Sequence, residues 1–260
     1  METEHRRTIG SLLASTDPDQ LRRGLDMIRD EITRHGSEDA RPLFEMVSTV
    51  FYIDPLDRPD LRSVIDEAIA LVVGFGEWVI PALVQNLDDG DIKAQLAIAS
   101  ALGRFGADAI GPLLAEYEAA TDPAIKTFIL YALGHVDSPK VVQAASITLT
   151  AARSDDRGLR DTAARAMGRI AAAVPAGELA TDVRDGFVEE LRTGLADTNA
   201  GIRAKAVRSL GKLARHGHLE ADEKKQLQTA LNRIIGTDEV YDWDRAYVVR
   251  KEAEEALRYI

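Results

Sequence analysis

Two histidines a residue apart, His216 and His218, stand ahead of Glu220, Asp222 and Glu223. No other stretch of the 260-residue chain gathers side chains of metal-ligand type so tightly. Helical metal sites need imidazoles four residues apart, and no His-Glu-x-x-His occurs. Gly217 lies between the two rings in a stretch with no helical stripe, so the cluster reads as solvated loop residues. Paired carboxylates occur at Asp88 and Asp89, at Asp155 and Asp156, and at Glu189 and Glu190. Acid–base catalysis needs two carboxyls held in different environments. These pairs fall at helix ends or on exposed faces, where helix capping or solvation accounts for them. No Gly-x-Ser-x-Gly or phosphate-cradling glycine run is present. The absence of cysteine removes thiol nucleophiles, disulfides and cysteine-ligated metals. The sequence thus nominates no catalytic residue, no metal site and no cofactor.

The cations follow a pattern instead. Lys126, Arg160, Arg203 and Arg250 recur at one register, which reads as a ladder of Asp–Arg contacts between neighbouring repeats in preference to a ligand site. Lys205, Arg208, Lys212 and Arg215, with Arg165 and Arg169, add a candidate basic patch. Two observations set nucleic acid aside as a partner. The net charge is −11, and polyanion binding rests on excess positive charge. Neither Trp78 nor Trp243 lies near the patch. The charge is also uneven: residues 1–130 hold 12 Lys and Arg against 23 Asp and Glu, while residues 131–260 hold 20 of each. Arginine (24) exceeds lysine (8) and aspartate (25) exceeds glutamate (18). Both a salt-adapted cytoplasm and a GC-rich genome give such a bias.

The elements that carry these residues are helical repeats. Setting Arg160 on Arg203 places Leu159 on Ile202, Ala163 on Ala206, Met167 on Leu210 and Gly168 on Gly211. The same frame catches residues 122–134 and 91–103, and more weakly 65–74. Leu21 and Val249 continue it towards the two ends. Leu159, Ala163, Ala166 and Ile170 share one helical face. Asp91, Asp122, Asp156, Asn199 and Asp244 stand where a side chain can cap a helix start. Second helices are expected at 38–52, 77–88, 107–120, 138–153, 178–196 and 220–236. A short helix within residues 4–15 and a terminal one at 244–260 complete the count. Gly74, Gly103, Gly134, Gly168 and Gly211 share a register inside or near the end of the first helices. A helical glycine costs about 1 kcal/mol against alanine, so close approach of another helix, or a left-handed helix end, is expected there.

The recurring order of Asp or Asn, an apolar residue with Arg, Ala, and then Ala-Leu-Gly resembles HEAT-like repeats, especially the short ones of bilin lyases. The resemblance covers residues 17–260 and is strongest over 91–215. It implies a single domain over 1–260, a right-handed α-solenoid of about six antiparallel helix pairs plus a terminal helix. It further implies second helices on a concave docking face. Iron-binding hydroxylases of this kind carry His-Glu dipeptides, and this chain has none.

The leading functional expectation is a non-enzymatic adaptor docking a protein partner on the concave face. A bilin-lyase-like or other small-ligand subunit is the alternative. Trp78, Gln85, Glu116, Arg184 and Arg192 on second helices are the candidate partner contacts. Trp78, one residue off the stripe of Ile80, Leu83 and Leu87, reads slightly better as packing between repeats. No run approaches the ~18 apolar residues of a membrane helix, and no secretory signal is visible, so a cytoplasmic location is expected.

Overall fold

The computed structural model describes residues 3–88, 90–237 and 243–260. Among them are fourteen α-helices and no strand. They group into two compact units, 1–116 and 117–260.

The first unit opens with α1 (Thr3–Leu13). It continues with the pairs α2 (Pro18–His35) with α3 (Arg41–Ser48), α4 (Arg62–Gly74) with α5 (Ile80–Gln85), and α6 (Ile92–Arg104) with α7 (Ile110–Ala119), whose last residues lie across the boundary. The second unit holds α8 (Pro123–Leu133) with α9 (Ala145–Ala152), α10 (Arg157–Ala173) with α11 (Thr181–Gly194), and α12 (Ala200–Arg215) with α13 (Ala221–Ile235). It closes with α14 (Tyr247–Ala256). Within each unit a first helix packs on the next first helix: α2 on α4 and α4 on α6, then α8 on α10, α10 on α12 and α12 on α14.

Short polar side chains start these helices. Asp17, Asp91, Asp122, Asp156 and Asn199 each accept a bond from a first-turn backbone N–H. Such a cap is worth about 1 kcal/mol over alanine. Asp244 departs from this pattern. Its helix begins at Tyr247 with Ala246 as the cap position. In the Arg203–Arg250 frame Asp244 matches Asp197, two residues ahead of the cap.

Several second helices are composite. A 3-10 turn over Glu77–Val79 leads into α5, one over Gly106–Ala109 into α7, and one over Pro139–Ala144 into α9. Ser48 passes directly into a 3-10 turn at Thr49–Tyr52. Pro81 and Pro139 sit at helix starts, where the backbone N–H that proline lacks would have no acceptor within the helix.

Leu21, Leu25, Ile28, Leu43, Val47, Val64, Val72, Phe75 and Leu83 fill the core of the first unit. Leu130, Ala163, Ile170, Phe187, Leu191, Val207, Leu210, Leu231 and Val249 fill that of the second. Among the described residues no single helix is long and apolar enough to cross a membrane.

The register glycines divide by role. None of the five is among the glycines with positive φ, so the left-handed helix end expected for them does not occur. Gly168 and Gly211 instead admit a neighbouring helix. A Cβ on Gly168 would lie 2.6 Å from Ser209 Cβ, and one on Gly211 would lie 2.9 Å from Ala256 Cβ. Gly134 caps the end of α8 in ordinary right-handed geometry, and Gly103 is buried within α6. Gly74 has open space around it, so close approach does not account for it.

Candidate functional site

Arginines at the shared register tie successive repeats of the second unit. Arg160 Nε donates to Asp197 at 2.9 Å, and another of its N–H groups serves the Ser154 and Asp155 carbonyls. Arg203 repeats this one step on. It makes two bonds to Asp244, at 2.6 and 2.9 Å, and donates to the Asp197 and Thr198 carbonyls. Arg250 donates to the carbonyls of Asp244 and Arg245. The acceptor is the residue two before each helix cap. Its other role is local, since Asp197 accepts from the Asn199 N–H at 2.7 Å and Asp244 from the Ala246 N–H at 2.8 Å. The Arg203 bond chiefly holds the Asp244 carboxyl below the usual range. Burial pushes Asp197 up, but the Asn199 N–H and Arg160 outweigh it and bring it down.

Ser154, two residues ahead of the Asp156 cap, stands where Asp197 and Asp244 stand ahead of the next two first helices, and a hydroxyl offers Lys126 no carboxylate. Lys126 lies over the Tyr117 ring at 5.1 Å. In α6 the register residue is Gln95, whose amide donates to the Leu87 carbonyl at 2.8 Å. In α2 Arg22 reaches Ser63 and Glu67 on α4, at 2.7 and 3.2 Å.

Of the candidate contact residues, Trp78 is held most firmly. Its ring meets Phe44 and Phe75 edge-on at 5.8 and 6.0 Å, and those two rings stand 6.0 Å apart. The Arg41 guanidinium covers it at 4.3 Å. The indole N–H is buried without an acceptor. Truncating a buried Trp or Phe costs about 3–5 kcal/mol, and Trp78 is half-buried. Trp78→Ala should therefore lower the melting temperature by several degrees, as read by circular dichroism. An unchanged melt would mean the ring contributes nothing to packing.

Gln85 is exposed. It lines an open groove of about 570 Å³ with Phe44, Glu45, Ser48, Thr49, Tyr52 and Asn86. Arg192 is exposed on α11 and Glu116 is half-buried on α7. Arg184 is committed to its neighbours, bonding Glu223 at 2.6 Å and the His218 carbonyl at 3.3 Å.

The loop histidines are not alike. His216 is exposed, but His218 is buried, with Nε2 at 2.7 Å from the Ala171 carbonyl and 3.1 Å from that of Val174. The expectation of a solvated loop is thus corrected at His218, which fastens the α12–α13 turn to α10. No three His, Asp or Glu among the described residues are grouped as a metal site.

The basic patch is assembled on first helices. Arg165, Arg169, Lys205, Arg208, Ser209 and Lys212 line a small cavity of about 60 Å³ between α10 and α12. Two of its cations are neutralised, Lys205 by Asp161 and Arg208 by Glu252. Arg165 lies over the Tyr131 ring at 5.7 Å. Arg169 donates to the Gly134 carbonyl at 3.2 Å, while its Nε is buried without an acceptor. Burial, then repulsion from Arg169, Arg208, Arg165 and Arg215, pulls the Lys212 ammonium below its usual range. Burial, then Arg165, lowers Arg169 as well. Just past the end of α8, His135 Nδ1 lies 2.7 Å from the Tyr131 carbonyl. Burial depresses its pKa, the Tyr131 carbonyl opposes that, and Arg169, Arg165 and Lys212 reinforce it. Arg215 stands apart, over the Tyr259 ring at 5.2 Å.

Stacked helix pairs without strands define an α-helical repeat module of the solenoid class. Residues 80–168 match the family model described as HEAT repeats. Similar solved folds run the length of the chain. Two engineered proteins share 18% and 17% identity with it, both at a TM-score of 0.54. Each covers 100% of this chain, with 98% and 78% of its own length matched. A computationally designed armadillo repeat protein for modular peptide recognition shares 15% identity at a TM-score of 0.53, covering 97% of this chain and 98% of its own. No curated protein matches the sequence.

Proposed function

We propose that this chain is a non-enzymatic scaffold that docks a protein partner on its second-helix face, the concave side of a solenoid. The observation that carries this reading is the groove beside α3 and α5. Glu45, Tyr52, Gln85 and Asn86 all line it, and Gln85 and Asn86 are exposed on the second helix where packing makes no demand on them. The N-terminal half is the acidic half of the chain, and Glu45 places a carboxylate at the groove itself. A Lys- or Arg-rich segment of a partner is the complement, steered by charge before it is held by contacts. Gln85 is the proposed contact residue of this groove, with Glu45 beside it. Trp78 contributes by shaping the groove through Phe44.

Chemical cross-linking of the purified protein with its native partner, followed by peptide mapping, tests this placement. Cross-links should concentrate on residues 45–52 and 85–86. Glu45→Lys with Gln85→Lys should weaken the complex by about tenfold or more through like-charge repulsion and leave the melting temperature unchanged. Cross-links confined to first helices, or full binding by the double variant, would overturn the reading.

A further inference from the structure

Three successive first helices present matched pairs of side chains, four residues apart, on one face. These are Tyr131 on α8 with His135 just past its end, Arg165 and Arg169 on α10, and Arg208 and Lys212 on α12. Each pair sits five and nine residues after the ladder position of its own helix. The repeat therefore aligns cations that lie far apart in sequence. We propose that Arg165, Arg169 and Lys212 form a binding site for a phosphate group in the cavity between α10 and α12.

The charge balance around the cavity is the first argument. Asp161 and Glu252 answer Lys205 and Arg208, but no carboxylate pairs with Arg165, Arg169 or Lys212 among the described residues. All three are half-buried. A chain with 43 acidic residues against 32 basic ones does not lack partners for them. Exposed lysines and arginines can stay unpaired because water solvates them, whereas half-buried cations that repel one another destabilise the fold. Burial and mutual repulsion do depress both Lys212 and Arg169. An anion in the cavity would reverse both effects.

The second argument is hydrogen bonding. Arg169 Nε is a buried donor with no acceptor, although another N–H of the same guanidinium has found the Gly134 carbonyl. Buried polar groups left unpaired at a functional site point to a missing partner. Guanidinium forks fit the oxygens of phosphate, and a lysine adds a point charge. A divalent tetrahedral anion offsets two of the three charges, where a carboxylate would offset one. The cavity, about 60 Å³, suits one compact anion. Its lining is Arg165, Arg169, Lys205, Arg208, Ser209 and Lys212, all of them polar. The site lies on first helices and stands independently of the second-helix face proposed above.

Calorimetric titration of the intact chain with inorganic phosphate, at an ionic strength held constant with chloride, tests the site. One saturable event per chain is expected. Arg169→Gln and Lys212→Met should each weaken it by about tenfold or more, as loss of a charge-assisted bond does. Lys212→Met also separates a ligand site from a structural one. It keeps the aliphatic stem and removes an unpaired charge, so in phosphate-free buffer it should melt at or above the parent. A second titration with O-phosphoserine distinguishes the source of the group. Tighter binding than inorganic phosphate assigns the site to a phosphorylated side chain of a partner, and weaker binding assigns it to the free anion. A parent response equal to that of chloride overturns the proposal whatever the variants do. So does full phosphate affinity in both variants, or a Lys212→Met protein that melts well below the parent without ligand.

Discussion

Gly168→Ala should destabilise the protein by about 1–3 kcal/mol, the usual cost of overpacking a filled interior. For a chain of this size that is a fall of roughly 2–4 °C in Tm per kcal/mol. Elsewhere in a helix the same change would gain close to 1 kcal/mol from propensity. Here the added methyl would stand 2.8 Å from the Ser209 Cα as well as 2.6 Å from its Cβ. The obstacle is thus the backbone of α12 and not the end of a flexible side chain. Ser209 is 2% exposed, and its hydroxyl donates to the Ala164 carbonyl at 2.6 Å. Moving α12 outward would break that bond and open the α10–α12 contact. Gly74→Ala is the matched control, since its Cβ would meet nothing within 4 Å, and it should leave Tm unchanged or raise it. Thermal melts of the two variants decide the matter: a Gly168→Ala protein as stable as the parent would refute close approach as the reason for this glycine.

Local signals made most of the fold legible. An acidic or amide cap, a stripe such as Leu159, Ala163, Ala166 and Ile170, and a breaker after each helix are all short-range features. Caps mark most of the first helices, while α4 and the second helices α3, α5, α9 and α11 start without one and are marked by their stripes and breakers. The composite second helices were less legible, because a 3-10 turn and an α-turn bury nearly the same residues. What needed three dimensions was the partner of each register residue. The ladder arginines were visible, but their acceptors Asp197 and Asp244 lie two residues outside the caps. The readable signal was the recurrence of Ser154, Asp197 and Asp244 six residues before Arg160, Arg203 and Arg250. Lys126 shares the register yet has no carboxylate opposite, which periodicity alone does not reveal. Trp78 stood one residue off its stripe in sequence, and only the approach of Phe44 from α3 shows what holds it. For the basic patch the residues were legible and the neutralisation was not. Which cations keep a carboxylate depends on Asp161 and Glu252, which sit on α10 and α14.

Removing residues 247–260 should have the largest effect of any change considered. In a stacked array each repeat is stabilised by its neighbours, so loss of one helix uncovers the apolar face of the next. Helix α14 packs against both α12 and α13. Val249 and Ala253 are fully buried there and Ala256 nearly so. Fully burying one side chain of valine or leucine size is worth about 1.5–3 kcal/mol; Val249 would be lost with two smaller alanines, and the faces of α12 and α13 that they cover would be exposed. Ala256 sits where Gly211 leaves room for it, so that cleft would open to water. Glu252 would go too, leaving Arg208 without the carboxylate that meets it in two bonds. Asp244 stays in the truncated chain, so the Arg203 pair is retained and the loss measured is that of α14 packing together with the Arg208–Glu252 pair. The shortened protein should melt many degrees lower and self-associate as its concentration rises, which calorimetry and sedimentation velocity would register. Val249→Asp offers a milder version, because it puts a charge where 0% of the side chain reaches solvent. If the truncated chain stays monomeric with the melting temperature of the parent, α14 is not docked on α12, and the continuity of the stack through this helix is lost with it.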